Sequence, residues 1–347
     1  MLFTSSMVLS EMKTDKITYY ITHQIFFGFL PGIILAYFFS KISLDFLKKI
    51  TPFFFLLVFV LLTLVLVPAL GFESGGAVRW LQVGPIILQP SEFAKLAVIL
   101  YLAALFEKKT KEKIMKSFKE AVLPFLFVLA PFAFLLLLQP DMGTLGIISL
   151  ISLSMFFGAR GSIPYTVLFI CAGIFLVVIA SILFPYVSDR LQTFLNPEDD
   201  TSGISYQINQ SLIAIGSGGI FGVGFGNGIQ KYSYLPEPMG DTIFAVWGEE
   251  TGFLGSILIV WLYLIICVRG FIIAKKAASE FNRFVAIGIT SWIGFQAFLH
   301  IMAVCGLIPF SGMPLPFISY GGTALICVLA GAGILINISK KSIRFPA

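Results

Sequence analysis

Apolar runs of about twenty residues recur along this chain and are separated by short polar segments. A helix of that length crosses a hydrocarbon core of ~30 Å, and within lipid each backbone amide must find its partner inside its own segment. Only 12% of the residues are charged, against roughly 25% in soluble domains. The sequence therefore excludes a soluble fold and predicts an all-α, polytopic helical membrane protein.

The apolar runs predict nine complete transmembrane helices in a single transmembrane domain, residues 1–347. Their approximate bounds are 19–39, 52–70, 92–106, 121–138, 143–158, 164–184, 243–268, 284–305 and 320–338. A large extracytoplasmic loop, 185–242, joins the sixth span to the seventh.

The distribution of charge predicts how these helices are oriented. Alternate connecting segments hold 17 of the 23 Lys and Arg residues, whereas 13 of the 18 Asp and Glu residues lie on the opposite side. The basic segments are 40–51, 107–120, 159–163, 269–283 and 339–347. Because Lys and Arg are retained on the cytoplasmic side, we expect these segments and the C-terminus to face the cytoplasm of a bacterial inner membrane.

Nine spans and a cytoplasmic C-terminus place the N-terminus outside. Residues 1–9 have neither the basic region nor the long apolar stretch of a signal peptide. We therefore expect that an earlier span is missing from this chain, that residues 1–9 are its outer end, and that the full-length form has ten spans.

Polar residues capable of chemistry are concentrated in four outer segments rich in Gly and Pro. In the first, Arg79-Trp80 precedes a predicted helix start at Pro90, with Ser91 as its N-cap. Glu92 and Lys95 then lie three apart on one helix face. They form either an ion pair at the helix end or a charged pair that faces a cavity in the membrane.

The second segment, 139–144, joins two spans and contains Gln139 and Asp141. Asp141 either caps the following helix or faces the cavity.

The third segment is the large loop, which carries Arg190 and an acidic turn at 198–200. Isoleucine and leucine recur every four residues over 204–212, which predicts a helix lying in the membrane interface. Its polar face is predicted to carry Gln207, Gln210 and Ser211. The Gly-rich stretch 216–228 contains a nominal G-x-G-x-x-G, but no predicted strand precedes it, so a dinucleotide site is rejected.

Asp241 follows this stretch at the mouth of the seventh span. Glu237, Glu249 and Glu250 lie near it in sequence, with Lys231 as the nearby counter-charge. Neighbouring negative charges and a low dielectric would raise the pKa of Asp241 and suit it to accept a proton from a hydroxyl group. The carboxylates could also hold a divalent cation, Mg or Mn. The alternative is that Asp241 only caps the helix.

The fourth segment, 306–322, contains three prolines, four glycines and Ser319. This composition predicts a re-entrant, non-helical outer loop. The sequence has no Walker A lysine loop, no H-E-x-x-H and no G-x-S-x-G, so ATP-driven and metalloprotease chemistry are not supported.

Together these segments resemble the SEDS family (shape, elongation, division and sporulation), and the match covers essentially the whole chain. The similarity rests on five motifs in order: Arg79-Trp80 with Gln89-Pro-Ser-Glu92-x-x-Lys95; Gln139-Pro-Asp141-x-Gly-Thr144; Tyr206-Gln207 with Ser211-x-x-Ala214; Leu235-Pro-Glu237 with Asp241-x-Ile-Phe-Ala245 and Glu249-Glu250; and Pro314-x-Pro-x-Ile-Ser-Tyr-Gly-Gly322.

The resemblance implies a ten-helix fold and an inverting peptidoglycan glycosyltransferase that polymerises lipid II outside the membrane in cell division or cell shape. It implies a class B penicillin-binding protein and other divisome or elongasome membrane proteins as partners, and no nucleic acid. Asp241 matches the catalytic aspartate. The remaining candidates for substrate binding or support are Glu92, Lys95, Arg79, Trp80, Asp141, Gln139, Arg190, Gln207, Lys231, Glu237, Glu249, Glu250 and Ser319.

Two positions depart from the family pattern. Met239-Gly240 stand where the family often has His-Thr, and His300 stands where it often has Asn. Two segments are more similar to the FtsW branch than to the RodA branch: Gly226 to Lys231, and Tyr234-Leu-Pro-Glu. The FtsW branch acts in division and the RodA branch in elongation.

Two rival functions predict different features. A lipid II flippase would place ionisable residues deep within its spans, whereas here nearly all of them lie at span ends or in loops. A non-catalytic division scaffold would tolerate the loss of Asp241.

Overall fold

The computed structural model describes residues 1–14, 16–74, 76–84, 86–112, 114–115, 117–196, 203–232 and 234–343. Its helices are α1 Leu2–Thr14, α2 Tyr19–Gln24, a π-helical turn Ile25–Phe29, α3 Leu30–Phe39, α4 Leu44–Val65, α5 Pro90–Lys111, a second π-helical turn Phe118–Val122, α6 Leu123–Leu138, α7 Met142–Gly158, α8 Ile163–Leu183, α9 Pro185–Leu195, α10 Ile204–Ser217, α11 Ile243–Lys275, α12 Glu280–Val304 and α13 Gly322–Ile343. Three short strands, β1 Gly71–Ser74, β2 Ala77–Val83 and β3 Ile86–Leu88, lie between α4 and α5.

The predicted all-α membrane fold is confirmed, since all nine predicted runs overlap helices. Seven described helices are long and apolar enough to span a membrane. The two other runs are α5, which carries a charged pair in its first turns, and α7, which has 17 residues. The number of spans, and the earlier span expected before residue 1, stay predictions.

The described chain separates into two compact units. The first comprises Met1–Pro31, Leu176–Ile265 and Gln296–Leu325, and the second comprises Gly32–Phe175, Ile266–Phe295 and Ile326–Ala347. The chain passes several times between the units.

The second unit is built around α5, which contacts α4, α6 and α7. Residues on every side of α5 are buried, as expected for a helix at the centre of a bundle. Five phenylalanine rings pack together at its carboxyl-terminal half, with centroid separations of 4.8 to 6.1 Å. They are Phe106, Phe125, Phe156, Phe169 and Phe284.

The three strands form an antiparallel sheet in the order β1-β2-β3, which the sequence analysis did not predict. Its first two strands are joined by a tight turn in which Gly76 has φ +74°. Alternate residues of β2 share one face, and two of them, Ala77 and Leu81, are buried. Arg79 lies between them in the same alternation.

The first unit contains α10, and its buried face differs from the prediction. Ser205, Ile208, Ser211 and Ala214 are buried, whereas Leu212 is 42% exposed. The predicted helix is present, but the placement of Ser211 on its polar outer face is wrong. The small residues of α10 face the rest of the protein, and Leu212 faces outward. Ser211 can be buried because its hydroxyl donates to the carbonyl of Gln207 at 2.7 Å.

The carboxyl end of α3 is capped from another helix. The side-chain amide of Asn337 on α13 donates to the carbonyls of Phe39 and Ile42, at 2.7 Å each. Asn337→Leu removes both donors from a site where Asn337 is only 4% exposed. We expect a loss of about 1–3 kcal/mol in stability, measured as a lower midpoint of thermal unfolding in detergent. Ile336→Val, at the exposed neighbouring position, is the control and should leave the midpoint unchanged; equal midpoints for both variants would contradict the capping role.

Candidate functional site

Asp241 lies on a tight turn directly before α11. Because α11 begins at Ile243, the position next to the helix belongs to Thr242, whose carbonyl accepts the amides of Ala245 and Val246. The Thr242 hydroxyl donates to the carbonyls of Pro236 and Glu237 at 2.8 and 3.1 Å. The turn is thus held by Thr242, and the carboxylate of Asp241 is half-buried.

The Pro-rich loop, residues 306–321, fixes the two residues that precede Asp241. The Ser319 hydroxyl donates to the carbonyl of Gly240 at 2.8 Å, and the Tyr320 amide donates to the carbonyl of Met239 at 2.8 Å. Gly312 has φ +61°, and a Cβ atom added there would lie 3.1 Å from Oδ2 of Asp241. The structure therefore brings Ser319 and Asp241 into one site, and the predicted non-helical loop is confirmed.

The carboxylates that follow Asp241 in sequence have structural partners. Glu250 forms a buried ion pair with Lys231 at 2.6 Å, and the Lys231 ammonium also donates to the carbonyl of Gly226 at 2.9 Å. Glu249 accepts the amides of Ile229 and Gln230, at 2.7 and 3.2 Å to Oε1. Glu249 and Glu250 thus anchor the Gly-rich segment rather than form an open acidic patch around Asp241.

Helix α11 is broken at Gly252, and the Gly-rich segment forms hydrogen bonds with backbone groups on both sides of the break. Gly252 has φ +66° and ψ −161°, outside the helical region. Before the break, the carbonyls of Glu249 and Glu250 accept the amides of Val223 and Gly224. After it, the amides of Phe253 and Leu254 donate to the carbonyls of Gly219 and Ile220.

The sequence analysis missed this break, although one signal was available. Gly252 interrupts an apolar run of the seventh span, and an unusually Gly-rich segment precedes that span. Broken helices in membranes need a neighbouring segment that satisfies the freed backbone groups.

Removing the Lys231 charge should destabilise the first unit strongly. Lys231→Met leaves the carboxylate of Glu250 buried without a counter-charge, and breaking such a pair typically costs about 3–5 kcal/mol. The double variant Lys231→Met/Glu250→Gln removes both charges and should recover most of the loss in thermal unfolding. Lys111→Met is the control and should change little, because Lys111 is exposed and Glu107 keeps its second ion pair, with Lys48 at 2.5 Å. A double variant as unstable as the single one would contradict this role.

In the second unit, the Arg79 side chain is hydrogen-bonded to the backbone of the segment that carries Gln139 and Asp141. The Arg79 guanidinium donates to the carbonyls of Gln139, at 3.3 Å, and Pro140. The Gln139 side chain donates to the carbonyl of Leu62 at 2.7 Å. Asp141 caps α7, because its Oδ1 accepts the Thr144 amide at 3.1 Å. Its second oxygen is buried without a hydrogen bond among the described residues.

The predicted pairing of Glu92 with Lys95 is confirmed. Their side chains meet at 2.7 Å and both are buried, and the Lys95 ammonium lies 5.1 Å from the ring centroid of Trp292. The predicted cap at Ser91 is wrong: α5 begins at Pro90 with Gln89 as N-cap. Ser91 is buried inside the first turn and its hydroxyl makes no hydrogen bond within the described part of the chain.

The other predicted residues are more dispersed. Arg190 is half-exposed on α9 and Glu237 is exposed with φ +47°, both in the first unit. Trp80 pairs with Phe72 across the small sheet. Gln207 on α10 has a buried side-chain nitrogen with no hydrogen bond to the described residues. The predicted acidic turn at 198–200 lies outside the described residues.

A divalent cation near Asp241 requires several oxygen ligands. Glu249 and Glu250 are engaged by backbone amides and by Lys231, and the described residues contain no group of three or more His, Cys, Asp or Glu side chains arranged to hold a metal. The cation stays a prediction, and no step proposed below passes through it.

A family model described as cell cycle protein, covering FtsW, RodA and SpoVE, matches residues 1–343. The chain belongs to this family. It is 36% identical over 342 residues to stage V sporulation protein E of Bacillus subtilis, covering 99% of this chain and 93% of that protein. It is 38% identical over 347 residues to the probable peptidoglycan glycosyltransferase FtsW of Coxiella burnetii, covering 99% and 92%.

Solved structures show the same fold. One of them comes from a structure described as "Structural coordination of polymerization and crosslinking by a peptidoglycan synthase complex". It superposes with a TM-score of 0.80 at 24% identity, covering 99% of this chain and 96% of that one. The rod shape determining protein RodA of Thermus thermophilus superposes with a TM-score of 0.69 at 26% identity, covering 98% and 93%. These matches to the FtsW/RodA/SpoVE family confirm the resemblance drawn from the five motifs.

Proposed function

We propose that this protein is a peptidoglycan glycosyltransferase that polymerises lipid II, the undecaprenyl-pyrophosphate-linked disaccharide peptide. The observation that carries the proposal is the carboxylate of Asp241, a partly buried residue on a turn fixed by Thr242 and by the Pro-rich loop. Relatives covering nearly the whole chain are named as such glycosyltransferases. The partner is a class B penicillin-binding protein, in keeping with the synthase complex whose fold this chain shares.

Asp241 is the general base of the reaction. It takes the proton from the acceptor sugar 4-hydroxyl as that oxygen attacks the anomeric carbon of the donor. The new C–O bond forms from the face opposite the leaving group, and the bond from the anomeric carbon to the pyrophosphate breaks. The lipid pyrophosphate departs with the electron pair, so the protein must supply a base, positioning and charge stabilisation.

Arg190 is the cation we assign to the pyrophosphate. It belongs to the same compact unit as Asp241. Lys95 and Arg79, two further basic residues predicted for substrate binding or support, belong to the second unit.

A cavity of about 340 Å³ in the first unit supports a substrate with a lipid tail. Ligand pockets of this size are typically lined by apolar side chains, and Gln24 is the polar residue among those that line this one. Phe317 and Ile318 contribute to the lining from the same Pro-rich loop that contacts the Asp241 turn.

Asp241→Asn should abolish polymerisation without unfolding the protein. Asn cannot accept the proton, and the Thr242 hydroxyl bond that holds the turn is retained. The rate of glycan-chain formation from labelled lipid II, with the reconstituted partner, should fall by at least about a hundredfold. Asp189→Asn, an identical change at an exposed position of the first unit, should retain the wild-type rate. Normal polymerisation by Asp241→Asn would refute the catalytic assignment and favour a scaffold or flippase.

The site should face the outer side of the cytoplasmic membrane. We test this with single cysteines in a variant whose natural Cys171, Cys267, Cys305 and Cys327 are replaced by alanine. Tyr234→Cys, on the exposed large loop, should react with a membrane-impermeant maleimide in intact cells. Lys111→Cys, at the carboxyl end of α5 in the predicted cytoplasmic segment 107–120, should react only after permeabilisation. The reverse pattern would overturn the orientation.

A further inference from the structure

Three buried side chains from two helices donate hydrogen bonds to consecutive parts of the Pro-rich loop. His300 Nδ1 lies 2.6 Å from the carbonyl oxygen of Met313, Gln296 Nε2 lies 2.8 Å from that of Pro314, and Tyr263 Oη lies 2.5 Å from that of Pro316. Each of the three side chains is at most 3% exposed. We call Tyr263, Gln296 and His300 the loop clamp.

The loop needs these donors because its backbone cannot form a helix here. Pro314 and Pro316 have no amide hydrogen and break any regular pattern, but their carbonyls still require partners when buried. The carbonyl of Leu315 accepts the amides of Ile318 and Ser319. With the clamp, all four carbonyls from Met313 to Pro316 are hydrogen-bonded.

The segment 313–316, which the loop clamp holds, is itself connected to the turn that carries Asp241. The Ser319 hydroxyl accepts the Leu315 amide at 2.7 Å and donates to the carbonyl of Gly240 at 2.8 Å. Gly312, next to the first clamped carbonyl, lies against the Asp241 carboxylate. A short chain of hydrogen bonds therefore links the clamp to the residue before Asp241.

We propose that Tyr263, Gln296 and His300 are positioning residues for the glycosyl transfer, which act by holding the Pro-rich loop against the Asp241 turn. They do not contact the substrate; they fix the direction of the Asp241 carboxylate through Ser319 and Gly312. The inference rests on the proposed role of Asp241 as the base.

The chemistry of His300 fits a positioning role. Donation to a carbonyl requires a proton on Nδ1, and Nε2 has no hydrogen bond to the described residues. His300 therefore acts in this contact as a donor at the δ position. The side-chain amide of asparagine places its nitrogen at the same position, so it can replace this function.

The test compares Tyr263→Phe, Gln296→Met and His300→Leu, each of which removes one donor and keeps the apolar bulk. We expect kcat for lipid II polymerisation to fall about tenfold in each, while KM stays close to the wild-type value, because substrate contacts are unchanged. His300→Asn keeps the δ donor and should restore kcat to within a few-fold of wild type. Tyr101→Phe, the same change on α5 in the second unit, is the matched control and should have no effect.

Wild-type kcat in Tyr263→Phe and Gln296→Met, or a rise in KM with kcat unchanged, would overturn the proposal. Should His300→Leu fail to fold, Tyr263→Phe, which removes a single oxygen atom, decides the question. Activity of Asp241→Asn would refute the proposed base whatever the clamp variants do. An inactive Asp241→Asn beside fully active clamp variants would refute only the positioning role.

Discussion

A backbone polar group outside a helix finds no water in a hydrocarbon environment, and this constraint accounts for the bonding of two non-helical segments of the first unit. The Gly-rich segment bonds to the carbonyls and amides that the break at Gly252 releases. The Pro-rich loop has its carbonyls bonded by Tyr263, Gln296 and His300. In each case irregular backbone is fixed by specific donors and acceptors, which gives Asp241 a defined position beside it.

The acidic residues of the seventh span divide into two roles. Glu249 and Glu250 are almost fully buried; Glu249 accepts backbone amides and Glu250 pairs with Lys231, so both connect α11 to the segment before it. Asp241 remains half-exposed on a turn that other residues hold in place. Proximity in sequence suggested one acidic patch, whereas the helix directs the later carboxylates to the Gly-rich segment. The base proposed here is the carboxylate on the turn that precedes α11.

Much of this organisation could be predicted from the sequence, because lipid imposes a simple rule on segment length and polarity. The helical class, the Glu92–Lys95 pair and the cap at Asp141 follow from local spacing. The break at Gly252, the small sheet around Arg79 and the buried serine face of α10 do not, since each depends on a segment distant in sequence. His300, noted only as a departure from the family pattern, proves to donate from the δ position that an asparagine would also use.

The central claim is that Asp241 receives a proton from the acceptor sugar. The most direct measurement is an experimental structure of the protein with its partner in a lipid nanodisc, bound to a lipid-linked donor analogue and an acceptor glycan. The account predicts a carboxylate oxygen of Asp241 about 2.6–3.2 Å from the acceptor 4-hydroxyl, with the Ser319–Gly240 hydrogen bond intact. An acceptor hydroxyl that is bound instead by another carboxylate, with Asp241 turned away from the sugar, would contradict it.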